Sequence, residues 1–237
     1  MTALEICVDT PEGIATAATA GADRIELCAA LGLGGLTPSA GLIAAALAAE
    51  VPAHAMVRPR AGGFVLSEAD LRAMLADVEA ARRAGLAGVV IGAARPGGTL
   101  DADDLARLRE AAGPMAVTLH RVIDLTPDPL EAVETAVSLC LDRILTSGQA
   151  PTAPEGAELI AAMVAQAAGR IEIMAGGGVT PASAQALLAT GVDALHASCA
   201  VAADDGAPGI GLPASRLTDA AAIRALRAAM TEVRACA

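Results

Sequence analysis

Short apolar runs alternate with longer amphipathic segments along the chain. The short runs carry the β-branched residues typical of strands, and the longer ones repeat Ala, Leu, Arg and Glu with a helical period. This pattern predicts strands over 4–8, 24–28, 54–58, 88–92, 115–120, 143–147, 171–175 and 194–199, and helices over 11–20, 38–49, 67–84, 102–112, 128–139, 155–168, 180–190 and 218–235. Eight successive strand–helix units favour a closed parallel (β/α)₈ barrel, with an open doubly wound sheet as the alternative.

Helix start signals and chain length agree with this pattern. Ser67, Asp101 and Thr180 each precede a predicted helix and can accept hydrogen bonds from its first turn. The 237 residues are close to the roughly 250 of one such barrel, so we expect a single domain over 1–237. The Gly- and Pro-containing segment 203–213 is long enough to act as a flap.

The composition narrows the possible functions. A net charge of −11 without a basic cluster makes nucleic acid and anionic membranes poor partners. All 16 basic residues are arginine, and the absence of lysine excludes chemistry through a lysine Schiff base. No apolar run is long enough to span a membrane and the first residues lack a signal-peptide pattern, so we expect a cytoplasmic protein with reduced cysteines.

Strand alternation divides each strand into residues that face the helices and residues that face the barrel interior. Burying unpaired charge costs several kcal/mol, so charged groups assigned to the interior should form a paired network. Those near strand starts suit a structural role, whereas those at the carboxyl ends lie where active sites of this fold occur. The interior set is Glu5, Cys7, Arg24, Glu26, Cys28, His54, Met56, Arg58, Thr118, His120, Glu172, Met174, His196 and Ser198.

Several segments at the carboxyl ends of the strands suit a small anionic ligand. Arg58 and Arg60 follow the third strand, and guanidinium groups bind carboxylates and phosphates. A glycine turn over 176–178 leads into a helix whose first N–H groups can hold an anion, although such a turn also occurs without a ligand. The candidate anion-binding residues are Arg58, Arg60, Ser147, Gly176, Gly177, Gly178, His196 and Ser198.

Three residues are candidates for proton transfer. His120 ends the fifth strand, and Asp124 is close enough in sequence to orient its ring. Glu26 faces the same interior from the second strand. These residues predict acid–base chemistry in an enzyme.

Two cysteines form a candidate metal site. Cys7 and Cys28 lie at the ends of adjacent parallel strands, which are about 4.8 Å apart, with the same predicted orientation. Thiolates select Cu(I), with Zn(II) as the competitor. Buried cysteines are also common as small core residues, so both interpretations remain open.

Seven stretches along the chain form a characteristic series: LEIC at 4–7, GADRIELC at 21–28, GGLTPS at 34–39, RPR at 58–60, TLHR at 118–121, LTSGQ at 145–149 and MAGGGV at 174–179. In this order they resemble the successive motifs of the copper homeostasis protein CutC family. The resemblance implies a TIM barrel, a cytoplasmic location, assembly as a homo-oligomer (dimer or tetramer) and Cu(I) binding, with Cys7 and Cys28 at the proposed ligand positions. The chain departs from the family where aromatic residues are usual, at Val65, Leu66, Val122 and Ile123, and these departures are expected to alter the pocket walls.

Two functions therefore remain open. In a binding protein, Cys7 and Cys28 hold Cu(I). In an enzyme, the arginines and the glycine turn bind a small phosphate- or carboxylate-bearing molecule while Glu26 and His120 exchange protons with it. A purely structural or partner-binding barrel would instead expose a large apolar patch.

Overall fold

The computed structural model describes residues 2–203 and 216–232. Eight parallel strands, β1 to β8, pair in chain order and close into a barrel, with β1 hydrogen-bonded to both β2 and β8. The predicted (β/α)₈ TIM barrel is confirmed, and the doubly wound alternative is wrong. The strands are Ala3–Val8, Arg24–Leu27, Ala53–Met56, Gly88–Ile91, Ala116–Leu119, Arg143–Thr146, Glu172–Gly176 and Ala194–Ala197.

A helix follows each barrel strand. The predicted start signals are confirmed, because the side chains of Ser67, Asp101 and Thr180 accept hydrogen bonds from backbone N–H groups in the first turns of their helices. The predicted end of the last helix, 233–235, and most of the predicted flap lie outside the described residues. The helices α1 to α8 are Pro11–Ala20, Ala40–Ala48, Glu68–Ala84, Ala102–Ala112, Pro129–Ser138, Ala157–Ala167, Pro181–Leu188 and Ala220–Glu232.

Several strands end earlier than predicted. β3 ends at Met56 and β5 at Leu119, and β5 is followed by an unpredicted 3₁₀ helix over Arg121–Leu125. After β8, Cys199 adopts a left-handed φ of 45°, and β9 (Ala200–Ala202) pairs antiparallel with β10 (Arg216–Thr218). The chain thus leaves the sheet early, and the residues beyond the strands form the mouth of the barrel.

The main hydrophobic core lies between the barrel and the helices. It contains the residues assigned to the outer face of the first two strands, such as Leu4, Ile6 and Ile25, which are fully buried. Smaller apolar layers fill parts of the interior, for example Met56 and Val90. No helix among the described residues has the length and apolar character needed to cross a membrane.

Candidate functional site at the barrel mouth

A cavity of about 320 Å³ opens at the carboxyl ends of the strands. This is the end of the barrel at which enzymes of this fold place their active sites. Its polar lining combines a carboxylate, a thiol, two imidazoles, two guanidinium groups and a glycine turn. The lining residues that carry chemistry are Cys7, Glu26, Arg58, Phe64, His120, Arg121, Gly177, Gly178, His196 and Ser198.

Cys7, Glu26 and His196 form a compact group on the cavity wall, which we call the Cys–Glu–His group. The parallel register brings them together, because it pairs Cys7 with Glu26 across β1 and β2 and Glu5 with His196 across β1 and β8. The Cys7 Sγ, a Glu26 carboxylate oxygen and a His196 ring nitrogen all lie within 4.8 Å of one another. All three residues are buried. The group therefore offers one sulfur, one oxygen and one nitrogen donor to the cavity.

The proton-binding members of this group are the Glu26 carboxyl and the His196 imidazole, which lie close together. Burial raises the pKa of Glu26, and its Oε1 has no hydrogen-bond partner among the described residues. Burial alone lowers the pKa of His196, but the charges of Cys7 and Glu26 and the hydrogen bond with Glu5 outweigh it and raise that pKa well above its ordinary value. His196 Nε2 lies 3.7 Å from Glu26 Oε2. Both groups therefore hold a proton more readily than they do in water.

A paired ion network lies beneath this group, as the burial argument predicts. Arg24 Nε contacts Glu5 Oε2 at 2.6 Å, and Arg24 Nη2 contacts Glu172 Oε1 at 2.7 Å. Arg143 Nη2 contacts the other Glu172 oxygen at 2.8 Å, and its Nη1 lies 3.2 Å from Nδ1 of His54. The network fixes the lower barrel interior, which agrees with the structural role expected near strand starts. Sequence reasoning missed Arg143, although strand alternation applied to β6 would have found it.

His120 stands on the opposite wall as a neutral imidazole. Burial and the charge of Arg58 lower its pKa to about 3. Its Nδ1 accepts a hydrogen bond from the Val122 N–H at 3.1 Å, which leaves the ring proton on Nε2. The ring packs against Phe64 with a centroid distance of 4.6 Å. A β-carbon at Gly92 would lie 2.0 Å from His120 Cε1, so this ring position requires glycine there.

The two arginines after β3 point in different directions. Arg58 lines the cavity, donates to the carbonyls of Leu33 and Gly62 at 3.0 and 2.9 Å, and lies 5.2 Å above the Phe64 ring centre. Arg60, predicted for the same anion site, does not line the cavity. It is held outside by a salt bridge of 3.0 Å to the Asp70 carboxylate at the start of α3.

Asp124 and Ser147 position Arg121 instead of lining the cavity. Asp124 accepts from Arg121 Nε at 2.8 Å and from the Ser147 N–H at 3.0 Å, and the Ser147 hydroxyl accepts from Arg121 Nη2. The expectation that Asp124 orients His120 is wrong, because the 3₁₀ helix carries its carboxylate to β6. The sequence places Arg121 with the residues at the carboxyl ends of the strands, where a functional role is expected, but gives it no specific role. Its Nη1 lies 3.3 Å from the place of a β-carbon on Gly177, so glycine lets it approach the turn.

The remaining predicted site residues divide between the cavity and the sheet. Gly177, Gly178 and Ser198 line the cavity, whereas Gly176 pairs with His196 at the end of β7 and is not part of the lining. Cys28 also lies off the cavity, fully buried, with its Sγ 3.5 Å from Glu26 Oε2. The register places Glu26, not Cys28, opposite Cys7, so Cys28 is not a member of the Cys–Glu–His group.

One wall of the cavity is aromatic, and its residue was not considered when the chain was set against the family pattern. Phe64, the one phenylalanine of the chain, lines the cavity directly before the non-aromatic Val65. Val122 and Ile123 are fully buried in the main core and do not touch the cavity. The expected change of pocket walls at these positions is therefore wrong.

Comparisons with known proteins give the family. The CutC family model matches residues 2–201. A CutC family protein from Sinorhizobium medicae is 52% identical over 233 residues, which cover 96% of this chain and 95% of that protein. One from Photobacterium profundum is 45% identical over 197 residues, covering 82% of this chain and 80% of that protein.

Solved structures agree with the sequence relatives. The crystal structure of the "Putative Copper Homeostasis Protein CutC" from Streptococcus agalactiae superposes with a TM-score of 0.79 and 31% identity, covering 84% of this chain and 99% of that one. Thiamine phosphate pyrophosphorylase from Pyrococcus furiosus has a TM-score of 0.62 at 18% identity over 98% of this chain and 96% of its own, which shows a shared fold alone. The model match and the relatives together show that this chain belongs to the CutC family.

Proposed function

We propose that the protein is an enzyme that binds a small anionic molecule in the mouth cavity and exchanges protons with it. The observation that carries this proposal is the buried Glu26 carboxyl, whose Oε1 has no partner among the described residues, beside a cavity lined by Arg58 and Arg121. A buried unsatisfied polar atom costs about 1–3 kcal/mol, which a ligand that donates a hydrogen bond to it would recover. The cavity of about 320 Å³ is also of a size that holds a small molecule.

Arg121 is the residue best suited to bind the anionic group. Its Nε and Nη2 are held by Asp124 and Ser147, so the guanidinium is oriented before a ligand arrives. A fixed guanidinium beside the backbone of Gly177 and Gly178 matches a carboxylate or phosphate. Arg58 adds positive charge, but its hydrogen bonds to loop carbonyls make it part of the wall.

Glu26 and His196 are the proposed proton carriers. The pKa values of both groups are raised, so each holds a proton more readily than usual and can pass it to a bound molecule. His120 has a pKa of about 3 and stays neutral, which suits a hydrogen-bond donor through Nε2 better than a base. This assignment replaces the Glu26 and His120 pair expected from the sequence.

Calorimetric titration with inorganic phosphate and with malonate tests the anion site. Arg121→Gln should weaken binding about tenfold or more, which corresponds to roughly 1.4 kcal/mol. The matched control is Arg95→Gln, since Arg95 is exposed, pairs with Asp103 and does not line the cavity. Equal loss of affinity in both variants would mean that the anions respond only to the overall charge of the protein. Unchanged binding in Arg121→Gln would refute the site.

Cu(I) binding is the second candidate, and it is favoured by the position of two thiols on either side of Glu26. The donor set fits it only in part. Cu(I) prefers soft thiolates, whereas the converged group is Cys7, Glu26 and His196. Burial raises the pKa of Cys28 well above its ordinary value, so its thiolate form is costly. Cys7 would be the principal ligand, because Cys28 lies off the cavity with its Sγ 3.5 Å from Glu26 Oε2.

Anaerobic Cu(I) titration against a competing chelator separates the two candidates. Copper cargo requires one-to-one binding that is lost in Cys7→Ser with Cys28→Ser, whereas binding that survives in the double variant removes this candidate. Thiol ligation needs reducing conditions, so we propose that the protein acts in the cytoplasm.

A further inference from the structure

We propose that Cys7 is a nucleophile, with His196 as its base and Glu5 as the residue that orients that base. In this role the protein transfers an activated acyl group from a small anionic molecule to the Cys7 sulfur and then to water. The inference rests on the proposed anion site for the charge of the substrate, but not for the reactivity of the thiol.

Cys7, His196 and Glu5 lie side by side in the folded protein, with the imidazole between the thiol and the carboxylate. Glu5 and Cys7 are alternate residues of β1, so both side chains point into the barrel beside His196 on β8. Glu5 Oε1 lies 2.8 Å from His196 Nδ1, which places the ring proton on that nitrogen. His196 Nε2 faces Glu26 Oε2 at 3.7 Å, and a His196 ring nitrogen, the Cys7 Sγ and a Glu26 carboxylate oxygen lie within 4.8 Å of one another. A carboxylate that fixes the tautomer of a base beside a nucleophile is the arrangement that thiol and serine enzymes share.

Glu5 is held as a carboxylate by its own surroundings. It is 1% exposed, and its second oxygen, Oε2, accepts from Arg24 Nε at 2.6 Å. Burial raises the pKa of Glu5, but His196 and Arg24 outweigh burial and lower it below its ordinary value. Arg24 is tied in turn to Glu172, so the orienting carboxylate belongs to a rigid network.

Among the cysteines that the structure describes, Cys7 differs in its access to the cavity. It is 8% exposed and lines that cavity. Cys28 is fully buried and Cys199 does not line the cavity, while Cys140 is exposed on the outside. The buried Oε1 of Glu26 beside Cys7, which has no hydrogen-bond partner in the described part of the chain, is the second sign that a ligand belongs there.

The proposed reaction balances without a cofactor. The Cys7 sulfur attacks the acyl carbon, a carbon–sulfur bond forms, and the bond to the leaving group breaks with its electron pair on that group. The thiol proton passes to His196 Nε2 and then to the leaving group. Water next attacks the thioester, which releases the acid and returns the proton to the Cys7 sulfur.

Alkylation of the reduced, chelator-treated protein tests this role with two probes that differ in charge. Iodoacetamide and iodoacetate each form a carbon–sulfur bond and release iodide, and peptide mass spectrometry measures the rate at each cysteine. We expect Cys7 to react with iodoacetamide about tenfold faster than the exposed Cys140, despite its burial. We also expect a higher iodoacetate-to-iodoacetamide ratio at Cys7 than at Cys140, and a loss of that excess in Arg121→Gln.

Two variants test the base and its orienting residue. His196→Gln and Glu5→Gln should each slow iodoacetamide labelling of Cys7 about tenfold and leave Cys140 unchanged. Because Glu5 also pairs with Arg24, circular dichroism must show the native barrel, and His196→Gln keeps the test decisive if Glu5→Gln fails to fold.

Each outcome bears on one part of the account. A Cys7 that labels as slowly as Cys28 in the native protein, or one that is unaffected by His196→Gln, overturns the nucleophile. Fast labelling of Cys7 by both probes, without a preference for iodoacetate, supports the role of Cys7 as a nucleophile. The same result contradicts only the anion site. Fast labelling that disappears when Cu(I) is restored assigns the same thiol to the metal.

Discussion

Replacing His120 by glutamine should change how stability depends on pH, and the structure gives the sign. In the unfolded chain the imidazole titrates near 6.5, whereas burial and the charge of Arg58 lower its pKa to about 3 in the folded protein. Between these values the unfolded state binds more protons, so the histidine destabilises the protein as the pH falls below 6.5. A pH of about 5 lies roughly 1.5 units below the pKa of the unfolded imidazole. At about 1.36 kcal/mol per unit, protonation of the unfolded chain then lowers the free energy of unfolding by about 2 kcal/mol.

His120→Gln has no imidazole to protonate, so it does not lose this stability as the pH falls. The order of stability of the wild type and the variant should therefore reverse with pH. Near pH 7.5 we expect His120→Gln to be less stable by about 1 kcal/mol, because it loses the ring contact with Phe64. Near pH 5 the variant should be more stable by about 1 kcal/mol, since the gain of about 2 kcal/mol exceeds that loss. Urea unfolding followed by circular dichroism at both pH values gives the two differences in unfolding free energy.

His196 provides a contrast of opposite sign. Its pKa is raised in the folded protein, so its contribution to stability is present below the unfolded value of 6.5 and is lost as the pH rises through the folded pKa. The wild type should therefore gain stability relative to His196→Gln as the pH falls from about 7.5 to about 5. The reasoning is refuted if the difference between the wild type and His120→Gln stays constant across this range, or if both histidines give the same sign.

Two further substitutions test the packing around the site, each with its own control. Gly92→Ala should destabilise the protein by about 1–3 kcal/mol, because the new β-carbon would overlap His120, whereas Gly63→Ala, which meets no atom within 4 Å, should change stability by less than about 0.5 kcal/mol. Arg143→Leu should cost about 1–3 kcal/mol, because Glu172 loses one of its two guanidinium partners but keeps Arg24, whereas Arg83→Leu, at an exposed ion pair, should cost under about 1 kcal/mol. Thermal and urea unfolding measure all four, and similar losses within either pair would contradict the assigned contacts.

Within the strands, sequence alone predicted which side chains face the interior. The two-residue repeat is set by covalent geometry, so Glu26, His120 and His196 were assigned correctly from alternation with apolar neighbours. Parallel register then decided which of these residues meet, and no pattern in one sequence gives that register. The pairing of Cys7 with Glu26, instead of Cys28, is the consequence.

Beyond the strand ends, the sequence does not predict where a side chain points. Arg60 lies two residues after Arg58, but the backbone is no longer pleated there, and an ion pair with Asp70 decides where its side chain points. Asp124 is four residues from His120 in the chain, yet the 3₁₀ helix between them turns its carboxylate towards β6 and Arg121. These side chains are positioned by tertiary contacts, so their roles follow from the folded structure and not from the sequence.

The central claim is that the barrel mouth is an anion site built on Arg121 above the Cys–Glu–His group. Its most direct test is a crystal structure of the protein soaked in selenate, whose selenium scatters anomalously and marks a bound tetrahedral anion. The account predicts an anomalous peak inside the cavity, in contact with Arg121 and the Gly177–Gly178 turn, and its loss in Arg121→Gln. A cavity without selenium, with peaks only at arginines on the outer surface, would contradict it.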